Sequence, residues 1–159
     1  MADLNRVGDR GGNFVLTKTQ IAVPGTGCVA SDLVINNKVD YVVDGVFNQL
    51  APSNNVAFSA GHTSLAALQE CFFALWVSAN NAISTTQGKI VNTADLSSSG
   101  GKTVVPFPDV IANSALIGLI KISTRGTATF VPNTTGLNAT NVVNNILNCS
   151  AMPTIPHLS

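Results

Sequence analysis

The sequence is short of charge. Lysine, arginine, aspartate and glutamate make up 10% of its 159 residues, eight side chains of each sign, against roughly 25% in an ordinary soluble domain. A nucleic-acid binder would carry a basic excess, and the total shows none. Cysteine is also scarce: Cys28, Cys71 and Cys149 are odd in number, far apart and without a Cys-x-x-Cys pair, which argues against a zinc site. A Cys28–Cys149 disulfide is open to a particle that ends up outside a cell, while Cys71 sits in an apolar run and reads as a small core residue. There are two histidines, His62 and His157, too few and too distant to make a ligand set with those cysteines. No run approaches about 18 apolar residues, so no membrane span is expected, and the opening MADLNRVGDRGG lacks the apolar stretch of a secretory leader.

A nucleotide loop is missing as well, although SSSGGKT at 97–103 suggests one. A phosphate loop needs Gly-x-x-x-x-Gly-Lys-Ser/Thr, so that backbone amides can wrap the anion. The first glycine would fall at Leu96. The loop must also open a helix whose N-terminus faces the phosphate, whereas Pro106 removes a donor and pushes Val105 away from helical geometry. The stretch reads as a Ser/Gly turn with one solvated lysine, and no cofactor is expected.

What the chain does have is 45% hydrophobic residues, enough for one domain with a core, and a polar complement of Asn, Thr, Ser and Gln. A neutral surface of that kind lacks the self-repulsion that keeps proteins monomeric, which points to an oligomer. Residues 1–13 concentrate a quarter of the charged side chains, among them Arg6 and Arg10, with almost no apolar periodicity. They read either as a disordered terminus or as an arm that orders on docking.

From Phe14 the pattern is β. Residues 29–35 are rich in β-branched side chains. Val39, Tyr41 and Val43 alternate with Lys38, Asp40 and Val42, the period-two mark of a half-buried strand. Asp44-Gly45 then favours a two-residue hairpin turn into Val46-Phe47, since both positions accept positive φ. Residues 51–55 read as a loop and 56–58 as a short strand. Residues 64–69 fit either one helical turn capped by Thr63 or a continuing strand. Residues 71–77, CFFALWV, are apolar on both faces, which implies a sheet covered on both sides or a face packed on another subunit. Asn80-Asn81 is a turn, followed by strands at 82–86 and 88–92. Residues 106–113 are extended or a short helix, and 115–123, ALIGLIKIS, form the second buried strand, turned back by Arg125-Gly126 into 127–131. Residues 137–147 fit a short helix, and the proline-containing end, 152–159, fits an extended tail. Many short strands between turn pairs predict an all-β, antiparallel sandwich or barrel over 14–151, with short helical turns.

Candidate chemistry is thin. His62 has serines in plenty but no Gly-x-Ser-x-Gly elbow, and an imidazole bonded to a backbone carbonyl explains it without catalysis. Asp40 with Asp44, or Glu70 with a distant aspartate, are the carboxylate pairs available for sugar hydrolysis, but Asp44 is accounted for by its turn, Asp40 by solvent and Glu70 by a turn end. Trp76, in the apolar run, reads as core or subunit contact rather than a sugar-stacking platform.

Taken together, VDYVVDGVF, AFSAGHTSLAALQ, STTQGKIV and ALIGLIKISTRGTATFVPNTTGL resemble small virion structural proteins of tailed bacteriophages, of the head-decoration (cement) or head-fibre kind, over roughly 28–137. The resemblance implies a β-rich module, often trimeric, seated on the major capsid protein or other virion subunits and without a catalytic site. It brings no functional residues with it. The resulting expectation is a non-enzymatic virion structural protein, a homo-oligomer that binds neither nucleic acid nor membrane, with Arg6, Arg10, Phe14, Phe72 and Trp76 as assembly contacts. The alternatives are a receptor- or glycan-binding module of a fibre or tail, and a small hydrolase built around His62.

Overall fold

The computed structural model describes residues 13–24, 33–98 and 104–149. Eleven strands and one helix occur among them: β1 Phe14–Val15, β2 Ile21–Ala22, β3 Leu33–Ile35, β4 Val39–Val43, β5 Val46–Leu50, β6 Ser53–Val56, β7 Gln69–Ser78, β8 Ile83–Gln87, β9 Val91–Asn92, α1 Thr93–Ser98, β10 Ser114–Thr124 and β11 Val142–Asn148. The fold is all-β, and every strand pairing is antiparallel.

The two greasy segments of the sequence are the long central strands, β7 and β10, paired along most of their length. They anchor a five-stranded sheet ordered β11-β10-β7-β8, in which β9 also pairs with β7. One face of this sheet packs against two three-stranded sheets, β1-β4-β5 and β2-β3-β6. Side chains from all three sheets fill one core: Tyr41, Val43, Leu33 and Ile35 from the small sheets meet Phe73, Leu75, Ile117, Ile120 and Ile122 from the large one. The result is a sandwich-like layering, and among the described residues no sheet closes into a barrel.

Local chemistry explains several elements. In β4 the burial alternates with period two, Val39, Tyr41 and Val43 inward, and the hairpin to β5 turns on Asp44 and Gly45 with φ of 51° and 76°, the left-handed pair that an Asp-Gly turn accommodates. In β10 the ladder to β7 slips between Leu116 and Gly118. Ile117, at this bulge, is buried in the core, and its carbonyl, turned toward β11, accepts from Cys149 N at 3.2 Å and from the Thr19 hydroxyl at 2.8 Å. A Cβ on Gly118 would meet Ile21 Cδ1, so the glycine leaves room for the tip of the Ile21 side chain over β10.

Four expectations are corrected. Residues 51–55 are not simply a loop: Ser53–Val56 is a strand pairing with β3, and it ends at Val56 rather than running to 58. Residues 64–68 form neither a helical turn nor a strand; Leu65 makes a single bridge to Phe130, and of the stretch only Gln69 is strand, the first residue of β7. Residues 127–131 are therefore not the hairpin return of β10, since only Phe130 pairs, and it pairs with Leu65. The true partner of β10 is β11, in the stretch expected to be helical. Val142, Asn144 and Ile146 face the core side while Val143, Asn145 and Leu147 face out, an alternation that a helix cannot provide. Segment 106–113 is irregular, and of 88–92 only Val91–Asn92 is strand. The stretch 97–103 is not a loop from its start, since Ser97 and Ser98 end α1; residues 99–103, Cys28, residues 1–12 of the N-terminal arm and the C-terminal tail lie outside the described residues.

Candidate interaction surface

The second face of the central sheet carries Glu70, Phe72, Ala74 and Trp76 from β7 with Leu116, Leu119, Lys121 and Ser123 from β10. Segment 104–113 lies across part of it. Ile111 and Leu116 pack on Ala74, Trp76 and Leu119, the Thr86 hydroxyl donates to the Asp109 carbonyl at 3.2 Å, and Phe107 stacks on Phe72 with ring centroids 5.1 Å apart and planes 19° from parallel. Gly88 makes the crossing possible: a Cβ there would stand 2.8 Å from the Pro106 carbonyl oxygen and 3.3 Å from that of Phe72.

Trp76 is 5% exposed, and its indole N–H donates to the Thr86 hydroxyl at 2.8 Å. The chain itself covers this ring, which is therefore a core group rather than a platform for a sugar. Phe72 is half-buried beneath Phe107, which is itself 67% exposed. Val104 and Val110 on the same segment are also exposed.

Beside this cover the sheet carries an ion pair, Lys121 Nζ to Glu70 Oε2 at 2.7 Å. Ser123 donates to the same carboxylate at 2.8 Å. Glu70 is buried, so the sequence reading of it as a turn end is corrected: it is a strand residue whose charge is compensated by the neighbouring strand. The pair separates two hollows. One, of about 610 Å³, is lined by Leu96, Val104, Pro106, Phe107 and Phe72. The other, about 290 Å³, is bounded by Leu68, Thr93, Arg125, Val143 and Asn145.

A second apolar feature lies on the outward face of the β1-β4-β5 sheet. Phe14 pairs with Val42, and Val42 with Phe47, so three apolar side chains form a row across three strands. Phe14 and Phe47 are exposed. Of the five assembly contacts expected from sequence, Phe14 lies on this row, Phe72 and Trp76 share the covered sheet face, and Arg6 and Arg10 lie outside the described residues. Sequence reasoning missed Phe47 and Val42; the Asp-Gly turn carried the signal, because a two-residue hairpin fixes Val42 opposite Phe47.

His62 does not converge with an acid and a nucleophile. Its Nε2 lies 2.7 Å from the Thr85 hydroxyl, not from a backbone carbonyl as expected, and its ring packs edge-on against Phe73 and Phe58. Burial lowers its pKa. Cys71 and Cys149 carry free thiols. Burial pushes Cys71 up to about 11, a shift that the Gln87 amide opposes and the Glu70 charge reinforces, so at neutral pH it is a protonated core group. Among the described residues no group of three or more His, Cys, Asp or Glu could hold a metal ion.

No family model, curated protein or solved structure matches the chain.

Proposed function

We propose that the chain is a non-catalytic structural subunit of a phage virion, decorating or stabilising the capsid through contacts with copies of itself and with the shell. The virion assignment comes from the sequence resemblance, and the adhesive mechanism from surface chemistry. The observation that carries it is the Phe14–Val42–Phe47 row: two exposed phenylalanines aligned in register on one sheet. Exposed aromatic side chains set out in this way are what protein interfaces use as anchors. Burying one phenylalanine contributes about 2–3 kcal/mol before association costs, and many copies on one particle multiply such contacts by avidity.

The test is co-sedimentation of the purified chain with capsids of the phage that encodes it. Wild type pellets with the capsids, and Phe14→Ser/Phe47→Ser weakens binding by about tenfold or more. A folded wild-type chain that ignores the capsids, or a double variant that binds as wild type does, overturns the proposal.

A further inference from the structure

β11 is an edge strand of the central sheet. Among the described residues β11 has one strand partner, β10, and its seven residues, VVNNILN, contain no charge and no proline. Those are two of the devices that normally keep an edge strand from pairing with another chain. The opposite edge of the sheet differs. There Ser59 and Thr63 lie along β8: Thr85 N, an edge group, donates to Ser59 Oγ at 2.8 Å, and the Gln87 side chain donates to the Thr63 carbonyl at 2.7 Å.

The direction of the backbone groups follows from the flanking bonds. Arg125 N donates to Asn141 O, and Cys149 N donates to Ile117 O. The odd-numbered residues of β11 therefore bond toward β10, and the even-numbered ones present N–H and C=O at the free edge. Val142 N agrees with this parity, since it turns away from β10 to the Ala139 carbonyl at 3.0 Å.

We infer that two copies of the chain join by antiparallel pairing of their β11 strands about a twofold axis at Asn145. This register uses the whole strand. It sets Asn144 against Ile146 of the second copy, even-numbered residues whose edge groups point at one another, and Val142 against its Asn148, where the Val142 carbonyl is the group that pairs because its N–H is held by Ala139. It also sets Val143 against Leu147 as non-bonded pairs, the arrangement that brings side chains closest. Val143 and Leu147 are 37% and 60% exposed on the outer face, so pairing covers apolar surface twice over, once on each side of the axis. The two five-stranded sheets become one continuous sheet. This deepens the assembly reading and rests on it in taking the partner to be another copy. It specifies a twofold contact where the sequence resemblance suggests a trimer.

Mass measurement of the full chain and two charged variants in solution tests it. Wild type forms a dimer. Val143→Lys/Leu147→Lys places lysines opposite lysines and raises the dissociation constant about tenfold or more, as does Val143→Glu/Leu147→Glu. Mixing the two variants restores a heterodimer, which a variant that had merely failed to fold could not do. Asn145→Cys, on the axis, oxidises to a covalent dimer that wild type does not form. A monomeric wild type, a trimer indifferent to the charged pairs, no recovery on mixing, or no cross-link at position 145 each overturns the pairing. Capsid co-sedimentation is read separately: a dimer that ignores capsids keeps this contact and removes the decoration role, and a capsid-binding monomer does the reverse.

Discussion

At the scale of single residues the chain is held by uncharged polar groups doing work that charges do elsewhere. Asn148 shows it best: its side-chain amide accepts from Ile21 N and donates to Ile21 O at 2.5 and 3.4 Å, joining β2 to β11 as a backbone would. Asn133 does the same for Phe58, accepting from its N–H at 2.8 Å and donating to its carbonyl at 2.6 Å. Among the described residues His62 is the one histidine. Burial against Phe58 and Phe73 favours its neutral form, so its pKa in the folded chain lies below 6.5, the ordinary value it regains on unfolding. Below 6.5 the unfolded chain binds the proton first. The stability this histidine supplies is thus complete above that pH and is lost as pH falls toward the lowered value. The expected outcome is a melting temperature that drops by a few degrees more in wild type than in His62→Gln as pH is lowered from neutrality to the acid side of that window, followed by circular dichroism. Parallel curves for the two proteins would show that the imidazole is not the titrating group.

At the scale of elements, what was legible in the sequence was whatever is decided by adjacent residues. The alternation of Val39, Tyr41 and Val43, the Asp44-Gly45 turn, the Asn80-Asn81 break and the two apolar strands are all local statements. The Asn81 backbone sits at a φ of 63°, as a turn asparagine should. The failures came where a distant partner decides. Residues 127–131 have strand composition and follow a real turn at Gly126, with φ of 58°, yet the chain leaves the sheet to bridge Leu65 and returns to β10 only at Val142. In β11 the asparagines obscured an alternation that its neighbour β10 imposes. The site was legible to the same extent: Phe14, Phe72 and Trp76 announce themselves as large apolar groups, but which of them remains exposed depends on where 104–113 lies, and that depends on Gly88. Gly88→Ala forces a methyl group against two backbone carbonyls, neither of which can rotate aside. The segment must lift, at a cost of about 1–3 kcal/mol. Since Trp76 is the single tryptophan and lies under this cover, its fluorescence should shift to the red in the variant and its denaturant midpoint should fall. An unchanged emission maximum would mean that the cover is held by other contacts.

At the scale of the whole molecule, the balance of eight positive and eight negative side chains leaves no net charge to steer a partner. The ion pair at the candidate surface, Glu70 with Lys121, is internally compensated and needs no charge from outside. Association by the Phe14–Val42–Phe47 row or by the β11 edge must then come from apolar burial and backbone hydrogen bonds, and these respond to conditions differently from charges. Raising salt shortens the screening length from about 10 Å at 0.1 M to about 3 Å at 1 M, which weakens a charge-driven complex severely and an apolar one hardly at all. Excluded salts such as sulfate strengthen apolar burial instead. Self-association and capsid binding are therefore expected to change by less than about threefold across that range of sodium chloride, to tighten in ammonium sulfate, and to show the negative heat-capacity change of apolar burial in titration calorimetry. A binding constant that collapsed with sodium chloride would place the contact on charged residues instead and move the search away from both apolar surfaces.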